Sequence, residues 1–163
     1  MTPSIDPTTQ QDVLATLDNL IEITRDGQEG FTQSAEHAKD GELKALFRKF
    51  ATERAAMVTE LQNLQRQHGA TDIENDGTVT GTLHRAWINL RSVVTTHDDQ
   101  AILEEAERGE DAAVAAHRDA LQNSVPPLPR SVTSVLERHL ASVQAAHDEV
   151  RDRRDSGTYE NKA

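Results

Sequence analysis

The sequence predicts an all-α protein, a bundle of four long helices with a short extra helix in the long middle connection. Two observations carry this prediction. All five prolines lie at positions 3, 7, 126, 127 and 129, so no proline interrupts a helix between Thr8 and Val125. Aromatic residues make up only 3% of the 163 residues, whereas a sheet-rich fold favours aromatic and β-branched side chains.

Apolar residues at helical spacing predict two long helices in the first part of the chain. Thr9 and Asp12 resemble a capping box, and the spacing that follows predicts a helix over residues 9–38. Asp40 and the glycine after it supply a turn. The same period then continues to about residue 68, where Gly69 is suited to end the second helix.

The second part of the chain predicts a short helix and two more long ones. Residues 70–78 are rich in turn formers and form the long connection, and an apolar stripe over residues 79–94 predicts the short helix. Asp98 or Asp99 is suited to cap the third long helix. The prolines at 126–129 require a tight link before the last helix, which runs from about Ser131 to Val150.

The lengths of the connections predict how the four long helices are arranged. Short links make the helices of each hairpin antiparallel neighbours, and the long middle connection allows the third long helix to run parallel to the second, as in ferritin-like bundles. A plain up-down-up-down bundle is the alternative. A faint repeat favours the ferritin-like arrangement, since residues 20–22 before Gly27 mirror residues 102–104 before Gly109.

Four segments of the sequence resemble a bacterial family of ferritin-like four-helix-bundle proteins that is catalogued as a domain of unknown function. These segments are LDNLIEITRDGQEGF (17–31), LHRAWINL (83–90), DDQAILEEAERGEDAA (98–113) and AAHDEVR (145–151). The resemblance extends from about Val13 to Asp155. It implies the ferritin-like fold but no established activity, because a shared fold does not by itself indicate a shared reaction.

Composition excludes several classes of protein and suggests a location. The 28 acidic residues exceed the 17 Lys and Arg residues, and the net charge of −11 without a basic stripe argues against nucleic-acid binding. No apolar run approaches the roughly 20 residues of a membrane span, and the N-terminus lacks the layout of a secretory signal. We therefore expect a cytoplasmic protein, and the absence of cysteine is compatible with a reducing compartment. We expect a disordered N-terminus (1–8), one domain (9–154) and a flexible polar tail (155–163).

The signature of di-iron bundles is incomplete in this sequence. Such proteins use one Glu from each of two helices and a Glu-x-x-His motif from each of the other two. No Glu-x-x-His occurs in this chain. This absence favours a non-catalytic structural, interaction or stress-associated role, with a homodimer through an apolar helix face left open. The alternative is a bundle that binds iron, zinc or manganese at a degenerate di-metal site, with storage or redox activity.

A few polar residues interrupt the apolar stripes and are the candidate metal ligands. His147 follows Leu140 and Val143 on one face of the last helix. With a helical rise of 1.5 Å per residue, His147 lies at about the same height in the bundle as Glu53 of the second long helix and Glu107 and Glu110 of the third. Outside this layer, Glu22 and Glu60 are weaker candidates. The predicted metal ligands are therefore Glu53, Glu107, Glu110 and His147. For Glu53 and Glu60, pairing with an arginine is the alternative.

Two further residues are predicted to have packing roles. Trp87, the only tryptophan, is expected to anchor the connecting helix to the bundle. His139 lies beside Leu136 and Val143 in the helical period and is expected to be a packed histidine rather than a ligand.

Overall fold

The computed structural model describes residues 7–71 and 87–160, and these form four long α-helices and one short one. The all-α prediction is therefore confirmed. Each of the four long helices predicted from the spacing of apolar residues corresponds to one long helix of the structure. The helices are α1 (Pro7–His37), α2 (Gly41–Gln67), α3 (Leu90–Val94), α4 (Asp99–Asn123) and α5 (Arg130–Asp155).

Most predicted helix ends are confirmed, with one correction at the start of the chain. The Asp40 side chain accepts a hydrogen bond from the backbone N–H of Leu43, and Asp98 caps α4 through the N–H groups of residues 100 and 101. Gly69 follows α2 with a φ of +94°, which suits glycine. The predicted start at Thr9 is wrong, because α1 begins at Pro7. Proline is favoured in the first helical turn, because a backbone N–H at that position would have no intrahelical hydrogen-bond partner.

Only part of the predicted connecting helix can be compared with the structure. The short helix predicted within residues 79–96 is observed as α3, over Leu90–Val94. The predicted turn-rich connection beyond residue 71, and residues 79–86 of the predicted helix, lie outside the described residues.

Contacts at the ends of the long helices fix their relative directions. The backbone N–H groups of Lys39 and Asp40, just after α1, donate to the Asp99 carboxylate at the start of α4, at 2.8 and 3.0 Å. Near the same end, the Gln100 side chain donates to the carbonyl of Arg154, close to the end of α5. Both α2 and α4 therefore start at this end and run parallel. The parallel direction of the second and third long helices, which the sequence favoured, is observed, and the up-down-up-down alternative is wrong.

The core has one apolar region at each end of the bundle and a mixed layer between them. One region lies at the end where α2 and α4 begin, and includes Phe31, Phe47 and Ile102. The other lies at the opposite end and includes Leu17 and Leu61. The layer at mid-height contains a third, smaller apolar cluster (Met57, Ala113, Val114 and Val143) together with buried polar side chains. These polar side chains include Arg54, Glu110, His117 and His139.

Trp87 anchors the connection to the bundle, as predicted. Its side chain is 2% exposed, and the indole meets the Phe31 ring edge-on, with ring centroids 5.2 Å apart. The indole fits between helices α1 and α4 because Gly30 and Gly109 have no side chains there: a Cβ at either glycine would lie less than 3.0 Å from indole carbons. The neighbouring N–H of Asn89 donates to the buried carboxylate of Glu105 at 3.3 Å.

No helix among the described residues combines the length and the apolar character that crossing a lipid bilayer requires.

Candidate functional site

The middle of the bundle is filled by a buried ion pair between α2 and α4. Arg54 Nη2 lies 2.5 Å from Glu110 Oε2, and both side chains are 1% exposed. The aliphatic part of Arg54 packs toward Gly27 on α1, and its guanidinium carbon lies 5.6 Å from the centroid of the Phe31 ring. Three helices thus surround one guanidinium, which places a fixed positive charge at the centre of the bundle.

This ion pair is not fully hydrogen-bonded. Within the part of the chain that the structure describes, Arg54 Nε and Glu110 Oε1 have no hydrogen-bond partner. Burial raises the pKa of Glu110, and the guanidinium of Arg54 offsets part of that rise. Nearby Glu53, half-buried on α2, raises the pKa of Glu110 further through its charge. The pair therefore carries a large desolvation cost, which is typical of buried ion pairs.

Two of the predicted metal ligands, Glu107 and His147, come together at the edge between α4 and α5. His147 Nε2 lies 3.9 Å from Glu107 Oε1 and 2.6 Å from Asp111 Oδ1. One ligand atom from each of the three residues lies within 4.8 Å of the others. On its other nitrogen, His147 is 3.1 Å from Asp148 Oδ1, a contact that lowers the pKa of Asp148. We refer to Glu107, Asp111 and His147 as the edge cluster.

The sequence reasoning missed Asp111, although a signal was present. Asp111 lies four residues after Glu107, so both carboxylates share one face of α4. Glu110 is turned by about 60° from Glu107 around the helix axis. It therefore points to the interior and to Arg54 rather than to His147. The structure thus places Glu107 and Glu110 in two separate environments.

The edge cluster has the donor types of a divalent cation site and also a competing arginine. Two carboxylates and an imidazole are the oxygen and nitrogen ligands that zinc, manganese and iron accept. His147 and Glu107 are both 13% exposed, whereas Asp111 is 64% exposed. Arg154 forms an ion pair with Glu107 Oε2. A cation at the edge cluster would therefore compete with the guanidinium of Arg154 for this carboxylate.

The weaker candidates lie elsewhere. Both Glu60 oxygens accept hydrogen bonds from the guanidinium of Arg138, at 2.7 and 3.2 Å. These bonds lower the pKa of Glu60. Pairing with an arginine is thus observed for Glu60, as its alternative interpretation proposed. Glu22 is exposed on α1, where its charge raises the pKa of Asp26.

His117 and His139 form a buried pair of imidazoles. They are 1% and 2% exposed, with ring centroids 6.4 Å apart. His117 Nδ1 lies 2.8 Å from the carbonyl oxygen of Ala113, so this nitrogen carries the proton. No described residue forms a hydrogen bond with its Nε2. Burial lowers the pKa of both residues, that of His117 to about 4. Both are therefore neutral at pH 7, and the packed position expected for His139 is confirmed.

Comparison with known proteins identifies a family for most of the chain. Residues 12–123 match the model of a family described as a domain of unknown function (DUF2383). This range contains α2, α3 and α4 and most of α1, and therefore also Arg54 and the two carboxylates of the edge cluster. The matched range ends before His147 and before the segment 145–151, one of the four segments that carry the resemblance described above. A comparison with curated proteins gives no match.

Proposed function

Since the chain belongs to the DUF2383 family, whose description assigns no activity, we propose a function from the geometry of the bundle. The protein is a cytoplasmic, ferritin-like helical bundle with a non-catalytic structural, interaction or stress-associated role. The parallel α2 and α4 support the ferritin-like affiliation. The observation that carries the non-catalytic role is the position of the Arg54 guanidinium at the centre of the bundle.

Electrostatic repulsion by the Arg54 guanidinium supports the non-catalytic role. In di-metal bundles, carboxylates and imidazoles from four helices converge on two cations in the interior. In this chain the guanidinium of Arg54 already neutralises the buried carboxylate of Glu110. A divalent cation beside Arg54 would be repelled in a medium of low dielectric constant. The ion pair thus occupies the interior position where di-metal bundles bind their cations. Because the guanidinium repels cations from that position, the interior has no centre for oxygen chemistry.

An oxygen-consumption assay tests the non-catalytic role. The purified protein is stripped of metal with a chelator, supplied with Fe(II), and followed with an oxygen electrode. We expect no oxygen uptake above that of a buffer blank. Catalytic uptake that is abolished by Glu110→Gln, but not by Glu104→Gln on the exposed face of the same helix, would overturn the proposal.

The molecular mass in solution tests the homodimer that the sequence left open. Light scattering across a dilution series measures it, and a mass of twice that of one chain would support a homodimer. A molecular mass that stays at 18.0 kDa at every concentration would contradict the homodimer.

A second candidate function is divalent cation binding, and the edge cluster is the observation that favours it. The ion would be held by Glu107, Asp111 and His147 on the outside of the bundle, away from the Arg54 pair. Iron, zinc and manganese all match these donors. In this arrangement the cation is stored or has a stabilising role, and the α4–α5 edge is its binding site.

Matched variants test this second candidate. Metal-free protein is titrated with Zn²⁺, Mn²⁺ and Fe²⁺, and the melting temperature is recorded. We expect one of these ions to raise the melting temperature, Glu107→Gln to remove the rise, and Glu104→Gln to retain it. Arg154→Gln should tighten binding, because it frees Glu107 from its ion pair. A melting temperature that ignores all three ions would refute cation binding at the edge cluster.

A further inference from the structure

A pocket of about 320 Å³ lies between α1 and the chain around α3. Among the described residues, α1 contributes polar groups to it, including Asp26 and Glu29. The other side is mainly apolar and is formed by Trp87, Ile88 and Leu90. The volume is at the lower end of the range for pockets that bind small organic molecules.

Asp26 is the unusual group in this pocket. The residue is 6% exposed, and its Oδ1 atom has no hydrogen-bond partner among the described residues. Burial, together with the negative charge of Glu22 one helical turn earlier, raises the pKa of Asp26 to about 8. At pH 7 the carboxyl group is therefore protonated and is available to a ligand. A buried polar group without a partner is unfavourable, so a ligand that supplies one gains affinity.

We propose that this pocket binds a small organic ammonium ion with an apolar body. The ammonium group pairs with Asp26, and the apolar body lies against Trp87 and Leu90. On binding, the Asp26 carboxyl group releases its proton to solvent, and the resulting carboxylate pairs with the ammonium group.

The charges of the pocket lining support a cationic ligand over an anionic one. Glu29 adds a second carboxylate to the lining, on the same helix as Asp26. Arg91 also lines the pocket but is exposed, so solvent screens its charge more than it screens the charge of the buried Asp26.

The single tryptophan makes this inference directly testable. Because Trp87 lines the pocket and is the only Trp in the chain, its fluorescence reports occupancy. The probes are 2-phenylethylamine and 2-phenylethanol, which differ in their ammonium and hydroxyl groups. We expect saturable binding of the amine, about tenfold or more tighter than that of the alcohol, since charge-assisted hydrogen bonds are the stronger ones.

Two variants separate the contribution of Asp26 from general effects. Asp26→Asn should remove the preference for the amine, and Glu36→Gln, exposed on α1 and outside the pocket lining, should retain it. Circular dichroism checks whether both variants are folded. Equal affinities for amine and alcohol, a preference that survives Asp26→Asn, or no saturable signal at millimolar amine would each overturn the proposal.

A measurement on the unmodified protein covers the case in which Asp26→Asn does not fold. Calorimetric titration with the amine at pH 7, in two buffers of different ionisation enthalpy, gives the number of protons released. We expect close to one proton per bound amine, and a value near zero would overturn the inference. Oxygen uptake and metal titration do not enter this test, so its failure is distinguishable from failure of the proposed function.

Discussion

The fit of Trp87 between two glycines leads to a prediction with an internal control. Gly27 and Gly30 lie three residues apart in α1, and replacing either with alanine adds one methyl group to the same helix. At Gly27 the new Cβ would lie 3.5 Å from Arg54 Cδ, an ordinary contact distance. At Gly30 it would lie 2.5 Å from Trp87 Cδ2, so the indole would have to move.

The magnitudes follow from two opposing contributions. Alanine is favoured over glycine in a helix interior by about 1 kcal/mol, and this gain applies equally at both positions. Overpacking a close-packed site costs about 1–3 kcal/mol, and this cost applies only to Gly30→Ala. We therefore expect Gly27→Ala to be more stable than Gly30→Ala by about 1–3 kcal/mol. Thermal melting should separate them by about 2–4 °C for each kcal/mol.

Urea unfolding, followed by circular dichroism, measures the difference. A double-mutant cycle then assigns it to the indole: in a Trp87→Ala background, Gly30→Ala should lose its penalty, because the contact no longer exists. The reasoning would be refuted if Gly30→Ala were as stable as Gly27→Ala in the wild-type background. It would equally be refuted if the penalty persisted after Trp87 was removed.

Further predictions concern the buried polar and aromatic groups. Trp87→Ala should cost about 3–5 kcal/mol in urea unfolding, and a loss well below 1 would show that Trp87 is not an anchor. Arg54→Met alone should cost about 3–5 kcal/mol, because it leaves Glu110 unpaired. The double variant Arg54→Met/Glu110→Leu should recover most of this loss, and no recovery would contradict the desolvation argument. The pKa of His117 in the folded protein is about 4, below its ordinary value of 6.5. The stability that neutral His117 contributes is therefore fully present above pH 6.5 and is lost as the pH falls toward 4. The loss approaches about 3 kcal/mol at low pH, and His117→Gln should lack this part of the acid sensitivity in unfolding measured from pH 7 to 4. The pKa of Asp26 is raised from 3.8 to about 8. The stability that the protonated carboxyl group contributes is therefore lost as the pH rises through that range. Asp26→Asn should therefore be more stable than wild type at pH 8, by a margin that shrinks at pH 4, and a constant margin would contradict the shifted pKa.

The positions of the helices follow from local features that are visible in the sequence. Four long helices are predicted closely by the spacing of apolar residues, by the capping residues Asp40 and Asp98, and by the confinement of proline to the N-terminal end and one link. The exception was the first helix, where Thr9 and Asp12 suggested a cap and Pro7 instead begins the helix. The difference is two residues, which is the usual uncertainty of a helix end, and proline is itself favoured at the first helical position.

The candidate site was predicted only in part. The sequence placed Glu107 and His147 at one height, because rise per residue is a property of the helix itself. It could not decide that Glu110, three residues after Glu107, would face Arg54, which is 56 positions away in the chain. That choice depends on the rotation of α4 against α2. Rotation is set by the packing of all the helices together.

The sequence by itself thus determined which segments are helical, where most of them end and which polar residues interrupt their apolar faces. The tertiary structure decided which of those polar residues meet. It assigned Arg54 to Glu110, brought Asp111 to His147, and placed Trp87 between glycines of two different helices. The physical reason is that helix formation depends on neighbours within a few residues, whereas these pairings depend on side chains far apart in sequence that become neighbours only when the bundle packs.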